Sequence, residues 1–540
     1  MRKWLISGAV FVLVAATALW VIASILSTRY EPYIRNAAVR YLQERFESEV
    51  ELGDLKIRMP QTSTLRLLVT RGRGAIAEVE GRGLTLRHMA RRDLPPMFAI
   101  KHFRFAVNLA VLFEPTKRVP LVELDGMEIY IPPKGERPKF KSDAPAGKPG
   151  EPHVQQREEH GAVLLEEVRI RDATLVILPR DQNKVPLRFD IQRLQMKSVG
   201  KDVAMTYEAE LTNPKPPGSI QSTGTFGPWV ADRPSDTPLT GQYAFGKADL
   251  SVFHGIAGIL DSHGSFQGTL DEVYARGEAT IPDFRLKSAD NPVPLSASFE
   301  VVVDGTNGNT ILHPVTATLG KTHFTTNGAV IKRDKNAQRG VTMDVSMPHG
   351  EIRDLLRLAV KGEPFMEGEI SLDAKIDIPP LSGKVREKLD LDGSFQISDG
   401  KFLRSSIQDQ IDSLSRRGQG QPRNNAIDEV FANMAGTFKL DDEVMVFQSL
   451  FFVVPGAVVD LAGDYDLGGD QLDFHGALRL RAKISQTQTG WKRWLLRPVD
   501  PVFAKNGAGT FLRIKVEGSP KNPQFGLERR TNKAPLEASR

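Results

Sequence analysis

Cysteine is absent from all 540 residues, which excludes disulfides, thiolate metal sites and cysteine nucleophiles. Charge of one sign is also missing. Lys and Arg (71) nearly balance Asp and Glu (66), leaving +5 spread along the chain, without the basic stripe that marks a nucleic-acid binder. There is no Walker loop, no H-E-x-x-H pair, no G-x-S-x-G elbow and no dinucleotide fingerprint. The ten histidines are scattered; His313, His323 and His475 fall in strand-like segments rather than at ligand spacing on a helix. The run GDYDLGGDQLDFHG collects Asp464, Asp466, Asp470 and Asp473 but lacks the spacing and closing glutamate of a calcium loop. Hairpin turns account for it, and for VDGTNGNT (Val303 to Thr310). These absences predict a protein that is not an enzyme and holds neither cofactor nor metal.

Long apolar runs are missing too, except at the start. From Trp4 to Thr28 no side chain is charged, and a bilayer core takes about 20 helical residues to cross. Residues 1–28 read as an N-terminal transmembrane helix, a single membrane anchor. The rival reading is a cleaved signal peptide with Ala16-Thr17-Ala18 as its cleavage box. Against it, the apolar run continues through Leu19, Trp20, Val21, Ile22, Ile25 and Leu26. Both readings export the body of the chain. Residues 29–48 follow as an amphipathic helix, with Ile34, Ala38, Tyr41, Leu42 and Phe46 at helical spacing, expected to pack on the first strands.

From residue 49 the dominant period is two. Phe103, Phe105, Val107, Leu109, Val111 and Phe113 alternate with other residues. Ile370, Leu372, Ala374, Ile376 and Ile378 alternate with Ser371, Asp373, Lys375 and Asp377. Leu478, Leu480, Ala482 and Ile484 oppose Arg479, Arg481 and Lys483, and Leu512, Ile514 and Val516 repeat the pattern. Alternation of this kind means antiparallel strands with one apolar and one wet face. Asp-Gly, Asn-Gly and Gly-Gly pairs punctuate them with tight-turn chemistry. The hairpin unit recurs loosely in GSFQGTLDEVYARGEATI, DGSFQISDGKF and AGTFKLDDEVMVF, a degenerate repeat of roughly 25 to 30 strands at about 4.8 Å spacing.

The fold class expected is therefore mainly β: the N-terminal helix, then a long, curved antiparallel meander with a few short helices. Helices are predicted in DLSVFHGIAGIL (capped by Asp249), EIRDLLRLAVKG and SSIQDQIDSLSRRGQG, packed on the sheet as lids or plugs. An N-terminal strand set covers 49–131 and central repeats cover 162–435. Between them residues 132–161, rich in Pro, Lys and Glu, cannot bury enough surface to fold and read as a disordered insertion. Near the C-terminus WKRWLLRPVDPVF sets Trp491 and Trp494 among Lys492, Arg493 and Arg497. That mix suits a membrane interface or a protein partner; the plainer alternative is a closing element over the sheet's open end.

The order of these features resembles the AsmA-like proteins, the AsmA/TamB/YhdP group of bridge-like lipid-transfer proteins. The anchor, VELGDLKIRMP (Val50 to Pro60) and the meander carry the likeness. So do Gly436 to Leu467 and Gly490 to Leu527 within a C-terminal region spanning 436–530, before a tail at 531–540. Residues 132–161 carry none of it. The resemblance implies an elongated apolar groove, held at the cell inner membrane and projecting into the periplasm. Its partners would be phospholipid, the inner membrane and outer-membrane or envelope assembly proteins, and its work lipid movement toward the outer membrane and envelope integrity. Carried onto this chain, the candidate lipid-facing positions are Phe103, Phe105, Val107, Leu109, Ile370, Leu372, Ile376, Leu478 and Leu480. The alternative is a non-transporting envelope scaffold whose apolar faces form a filled β core. Alternation alone does not separate an open trough from a closed core.

Overall fold

The computed structural model describes residues 48–58, 75–88, 95–108, 110, 117–131, 163–178, 185–200, 203–230, 233–333, 339–380, 385–504, 507–520 and 522–528, with helical residues between 35 and 43. The expected anchor, Leu109 and the insertion at 132–161 lie outside the described residues. Among the described residues no helix is long and apolar enough to cross a membrane. The chain is mainly β, with 24 strands in one mostly antiparallel sheet. It divides into two compact units: Met1–Val252 with Leu260–Glu278 and Val302–Gly308, and Phe253–Ile259 with Ala279–Val301 and Asn309–Arg540.

The first unit opens with β1 (Ser48–Arg58), β2 (Ile76–His88), β3 (Phe98–Asn108) and β4 (Lys117–Ile131), each antiparallel to the next. Next come β5 (Val163–Ile177), β6 (Leu187–Gly200), β7 (Met205–Pro214), β8 (Pro217–Phe226) and β9 (Pro238–Asp249), again paired antiparallel in sequence. The inward side chains of β1–β6 form one contiguous cluster that includes Val50, Leu86, Phe98, Ile100, Ile131, Leu165 and Val168. Each such side chain contributes about 1.5–3 kcal/mol when fully buried. Leu42 of the preceding helical residues is buried in the same cluster, and the Arg35 guanidinium donates to the Leu52 carbonyl at 2.9 Å.

The outward face of this unit is a cross-strand charge ladder. Along one row Lys56 opposes Glu80, Glu80 opposes Arg104, Arg104 opposes Glu123, and Glu123 opposes Arg169. Signs alternate at every step, so each neighbour favours this register and a one-residue slip loses both the ladder and the core. His102 bridges Glu80 at 3.2 Å and Asp125 at 3.4 Å in the adjoining row. The hydrogen bond with His102, then Arg82, holds the Glu80 carboxyl below its ordinary range.

The β4–β5 pairing departs from the expected antiparallel meander: the two strands run parallel, Lys117 opposite Val163 and Ile131 opposite Ile177. A parallel neighbour requires the chain to return the full length of the strand, so the segment between Ile131 and Val163 has a geometric duty. Retracing fifteen residues at about 3.3 Å each means roughly 50 Å.

The second unit completes β12 (Val273–Leu286) and β13 (Val293–Val303), which follow β10 (Ile256–Ala257) and β11 (Ile259–Thr269) in the chain. It continues with β14 (Thr310–Leu319), β15 (Thr322–Lys332), β16 (Arg339–Glu351), β17 (Met366–Ile378), β18 (Asp390–Phe402), β19 (Ala432–Asp441) and β20 (Val444–Val454). β21 (Ala457–Asp466), β22 (Gln471–Leu480), β23 (Thr510–Ser519) and β24 (Asn522–Leu527) close it. Two-residue turns at Asp442-Glu443 and Pro455-Gly456 join consecutive strands; Asp442 (φ 50°), Glu443 (φ 64°) and Gly456 (φ 86°) supply the left-handed backbone such hairpins need. Asp466 accepts from the backbone N–H groups of Gly468 and Gly469 at 2.8 and 2.9 Å, so the aspartate-rich run is a hairpin turn.

Two of the expected helices form. α1 (Ile352–Ala359) lies between β16 and β17, and α2 (Ser405–Gly418) between β18 and β19. The third does not: DLSVFHGIAGIL gives only a three-residue 3₁₀ turn at Leu250–Val252 and then passes into β10 and β11. Its short apolar spacing fits both periods, and pairing with neighbouring strands decides for β. The Leu478–Ile484 alternation also stops early. β22 ends at Leu480, and Ile484–Thr487 turns 3₁₀.

Because the β4–β5 step has a minimum span, loop length predicts tolerance. Removing 141–150 leaves ample reach, so stability should stay within about 1 kcal/mol. Removing 138–160 leaves too little chain to retrace about 50 Å at a maximum of roughly 3.6 Å per residue. Urea unfolding of the two deletions checks this: only the longer one should collapse the midpoint, and equal midpoints would contradict the crossover.

Candidate functional site

In the second unit the inward side chains line up in rows that cross many strands. One row runs Ile370, Ile397, Met434, Phe452, Val459, Leu478, Leu512. The next runs Met347, Leu372, Phe395, Gly436, Leu450, Leu461, Gly476, Ile514. A third holds Val345, Ala374, Gly393, Phe438, Phe447, Gly463, Phe474 and Val516, and a fourth Met343, Ile376, Leu391, Leu440, Met445, Tyr465 and Leu472. No charged residue interrupts any of them. Ile370 and Leu478, far apart in sequence, share a row, as do Leu372 and Ile514.

The recurrent Gly-x-Phe element explains how these rows stay smooth. Gly393 and Phe395 share a face of β18, and Gly436 and Phe438 share a face of β19. Pairing sets Gly393 opposite Phe438 and Phe395 opposite Gly436. Each ring therefore lies over the neighbouring glycine: a Cβ on Gly393 would sit 2.9 Å from Phe438 Cζ, and one on Gly436 would sit 3.0 Å from Phe395 Cε1. The first unit repeats the arrangement, with a Cβ on Gly241 falling 2.6 Å from Phe266 Cζ and one on Gly264 falling 3.0 Å from Tyr243 Cε1. In the N-terminal cluster Gly81 opposes Phe103, whose ring fills the space a side chain there would need. Aromatic side chains covering cross-strand glycines shield backbone that would otherwise be bare. The strand-forming repeat was visible in sequence; the reciprocal pairing needs the register.

Exposure separates two kinds of inward face. Phe103, Phe105 and Val107 are at most 5% exposed and belong to the N-terminal cluster, with the Phe103 and Phe105 rings stacked at 6.4 Å between centroids. Ile370 and Leu480 are equally buried, under helices: Ile370 packs with Ile352 of α1, and Leu480 with Ile411 of α2. Leu372, Ile376, Leu391, Leu478 and Ile514 are only half-buried. So are Tyr207, Ile220, Phe245 and Phe266 in the first unit, where burial pushes the Tyr207 phenol up while its hydroxyl meets Ser222 Oγ at 3.2 Å.

Two register shifts lie within the rows, between Thr437 and Phe438 and between Phe447 and Leu450; three others mark where the rows end beside the helices. These three fall between Met347 and Gly350, Glu367 and Glu369, and Ile397 and Gly400, and bulges of this kind bend a strand and stop regular pairing. Asp412 of α2, buried, accepts from Gln408 Nε2 and from the N–H groups of Glu429 and Val430, which fastens that helix to the chain entering β19. Thr322 and the Lys321 N–H do the same for α1 through Asp354.

Trp491 and Trp494 lie on α3 (Trp491–Leu496), 71% and 69% exposed, with Arg497 stacked 4.2 Å over the Trp494 ring. No residue of this short helix is buried. Among the described residues no three His, Asp or Glu side chains gather as a metal site. No family model, curated protein or solved structure matches the chain.

The Gly-x-Phe pairing has a direct test. Gly393→Ala drives a methyl toward the Asp373 carbonyl (2.5 Å) and the Phe438 ring, and should cost about 1–3 kcal/mol. Gly526→Ala, where a Cβ meets only the flexible Lys515 side chain at 3.3 Å, should stay within about 0.5 kcal/mol. Denaturant unfolding compares them, and equal losses would contradict the pairing.

Proposed function

We propose that this chain carries or conducts phospholipid along the half-buried rows of its inward face. In this reading residues 1–28 anchor it at the inner membrane, and the sheet forms a curved apolar groove in the periplasm that passes lipid toward the outer membrane in support of envelope integrity. The observation that carries the proposal is the contrast within one molecule. Strands β1–β6 show what a filled core of this sheet looks like, with inward side chains almost wholly excluded from solvent. On the rows of the second unit Leu372, Ile376, Leu391 and Leu478 stay half-buried beside the buried Ile370, Ile397 and Leu440, and no charge interrupts the apolar sequence of side chains.

An acyl chain in water costs about 0.8 kcal/mol per CH₂, so a two-chain lipid needs continuous apolar contact on the order of 20 kcal/mol in worth. A long uncharged set of rows offers that; a single pocket does not. The likeness of Gly436 to Leu467 and Gly490 to Leu527 to the C-terminal region of AsmA-like proteins supports the same reading, as does the outward charge ladder that keeps the other face wet.

Burial now separates variants that alternation could not. Ile376→Asp sets a charge among half-exposed neighbours, where it breaks the apolar path yet still reaches water. Leu480→Asp buries its charge beneath α2 and should unfold that end. With full-length protein purified in mild detergent and extracted for lipid mass spectrometry, Ile376→Asp should lose most of the phospholipid found with the parent chain and keep its melting temperature within a few degrees. Unchanged lipid content would favour a non-transporting scaffold, as would a parent chain free of lipid.

A further inference from the structure

A pocket of about 540 Å³ opens where α1 ends and α2 begins. Its wall carries Arg353, Arg357, Lys361 and Arg404, with Phe365 and Leu403 as apolar members and Glu363 as its one carboxylate. Arg353 is paired with Glu367 at 3.1 Å. Arg357, Lys361 and Arg404 have no carboxylate partner among the described residues. Arg353 and Arg357 are one helical turn apart, a like-charge spacing that destabilises a helix unless something of opposite sign lies between. Arg404 is also the N-cap of the fourteen-residue α2, which has no side-chain cap and no acidic residue in its first turn, so the helix end adds positive potential. The Leu403 N–H donates to the Phe365 carbonyl at 2.9 Å and ties the two walls together.

The apolar members fix what kind of anion fits. Phe365 packs on the cluster of Met347, Ile352, Met366, Ile370 and Ile397, the end of the rows described above. Cations therefore sit directly beside the apolar face. The volume falls in the range of small-molecule sites, enough for a polar headgroup and its ester linkages.

We propose that this pocket binds the phosphate of an anionic phospholipid headgroup, with guanidinium groups on its oxygens and Phe365 and Leu403 against the glycerol esters. Guanidinium forks match phosphate oxygens in pairs, and the orphan charges of Arg357, Lys361 and Arg404 become satisfied. The choice of a lipid over free phosphate rests on the lipid-carrier reading; the phosphate chemistry itself does not.

The test uses the full-length chain in detergent, titrated calorimetrically with dihexanoyl phosphatidylglycerol and, separately, with inorganic phosphate. The parent should bind the short-chain lipid more tightly than phosphate. Arg357→Glu with Lys361→Glu should weaken lipid binding at least about tenfold, while Arg357→Lys with Lys361→Arg restores it, so a folding defect is not the cause. Undiminished binding by the charge-reversed chain would overturn the pocket, whatever lipid co-purifies with the parent. Phosphate binding as tight as the lipid, lost on charge reversal, would overturn the headgroup assignment and leave a free-phosphate site. Native lipid co-purifying with the charge-reversed chain reports on the carrier reading independently.

Discussion

The cross-strand pair of glycine and aromatic ring is the contact on which this architecture turns. Among the described residues one sheet carries the apolar face, and its own side chains shield the backbone there. Where Gly393, Gly436, Gly241 and Gly264 leave bare backbone, the rings of Phe438, Phe395, Phe266 and Tyr243 lie across it. The result is a face with few projections and no charged interruption along the rows of the second unit. Because Gly and aromatic sit two residues apart on each strand, one repeat supplies both halves of the pair to its neighbours. Repetition of a short sequence thus becomes a continuous surface, and the surface is what the proposed function needs.

The outward face solves the complementary problem. Alternating charges from Lys56 to Arg169 hold the register by opposition across every strand pair. Individually such exposed pairs are worth little, but a slip by one residue would set each charge opposite an apolar neighbour and turn the apolar rows to water. In the second unit the same alternation recurs through Asp344, Lys375, Asp392 and Lys439. Register is set from both sides of the sheet, which is how a meander this long avoids alternative pairings.

Much of the fold was legible in sequence because its two signals are local. Period-two alternation and Asp-Gly or Gly-Gly turns named the strands. The apolar stripes of Ile352–Ala359 and Ser405–Gly418 named α1 and α2. What stayed hidden depends on neighbours. Phe103 and Ile376 alternate alike, yet one lies in a closed cluster and the other on an accessible row, because exposure depends on what packs opposite. Residues 249–260 carry too few turns to show a helical period, and pairing made them strand. The parallel β4–β5 step could not be read from the strands, though the long segment between them was its only trace. The pocket at Arg357 and Lys361 joins the end of α1 to the residues that open α2, a juxtaposition no window of sequence contains.

The central claim is that the inward rows, and not the outward ladder, contact lipid. Adjacent residues on β18 separate the two: Leu391 faces inward, half-buried, and Asp392 faces outward, exposed. A photoreactive amino acid placed at either position of the full-length protein in native membranes, followed by mass spectrometry of the adducts, reads the contact directly. Phospholipid adducts at 391 and none at 392 are the result expected. Equal labelling at both positions, or no lipid adduct at 391, would contradict it.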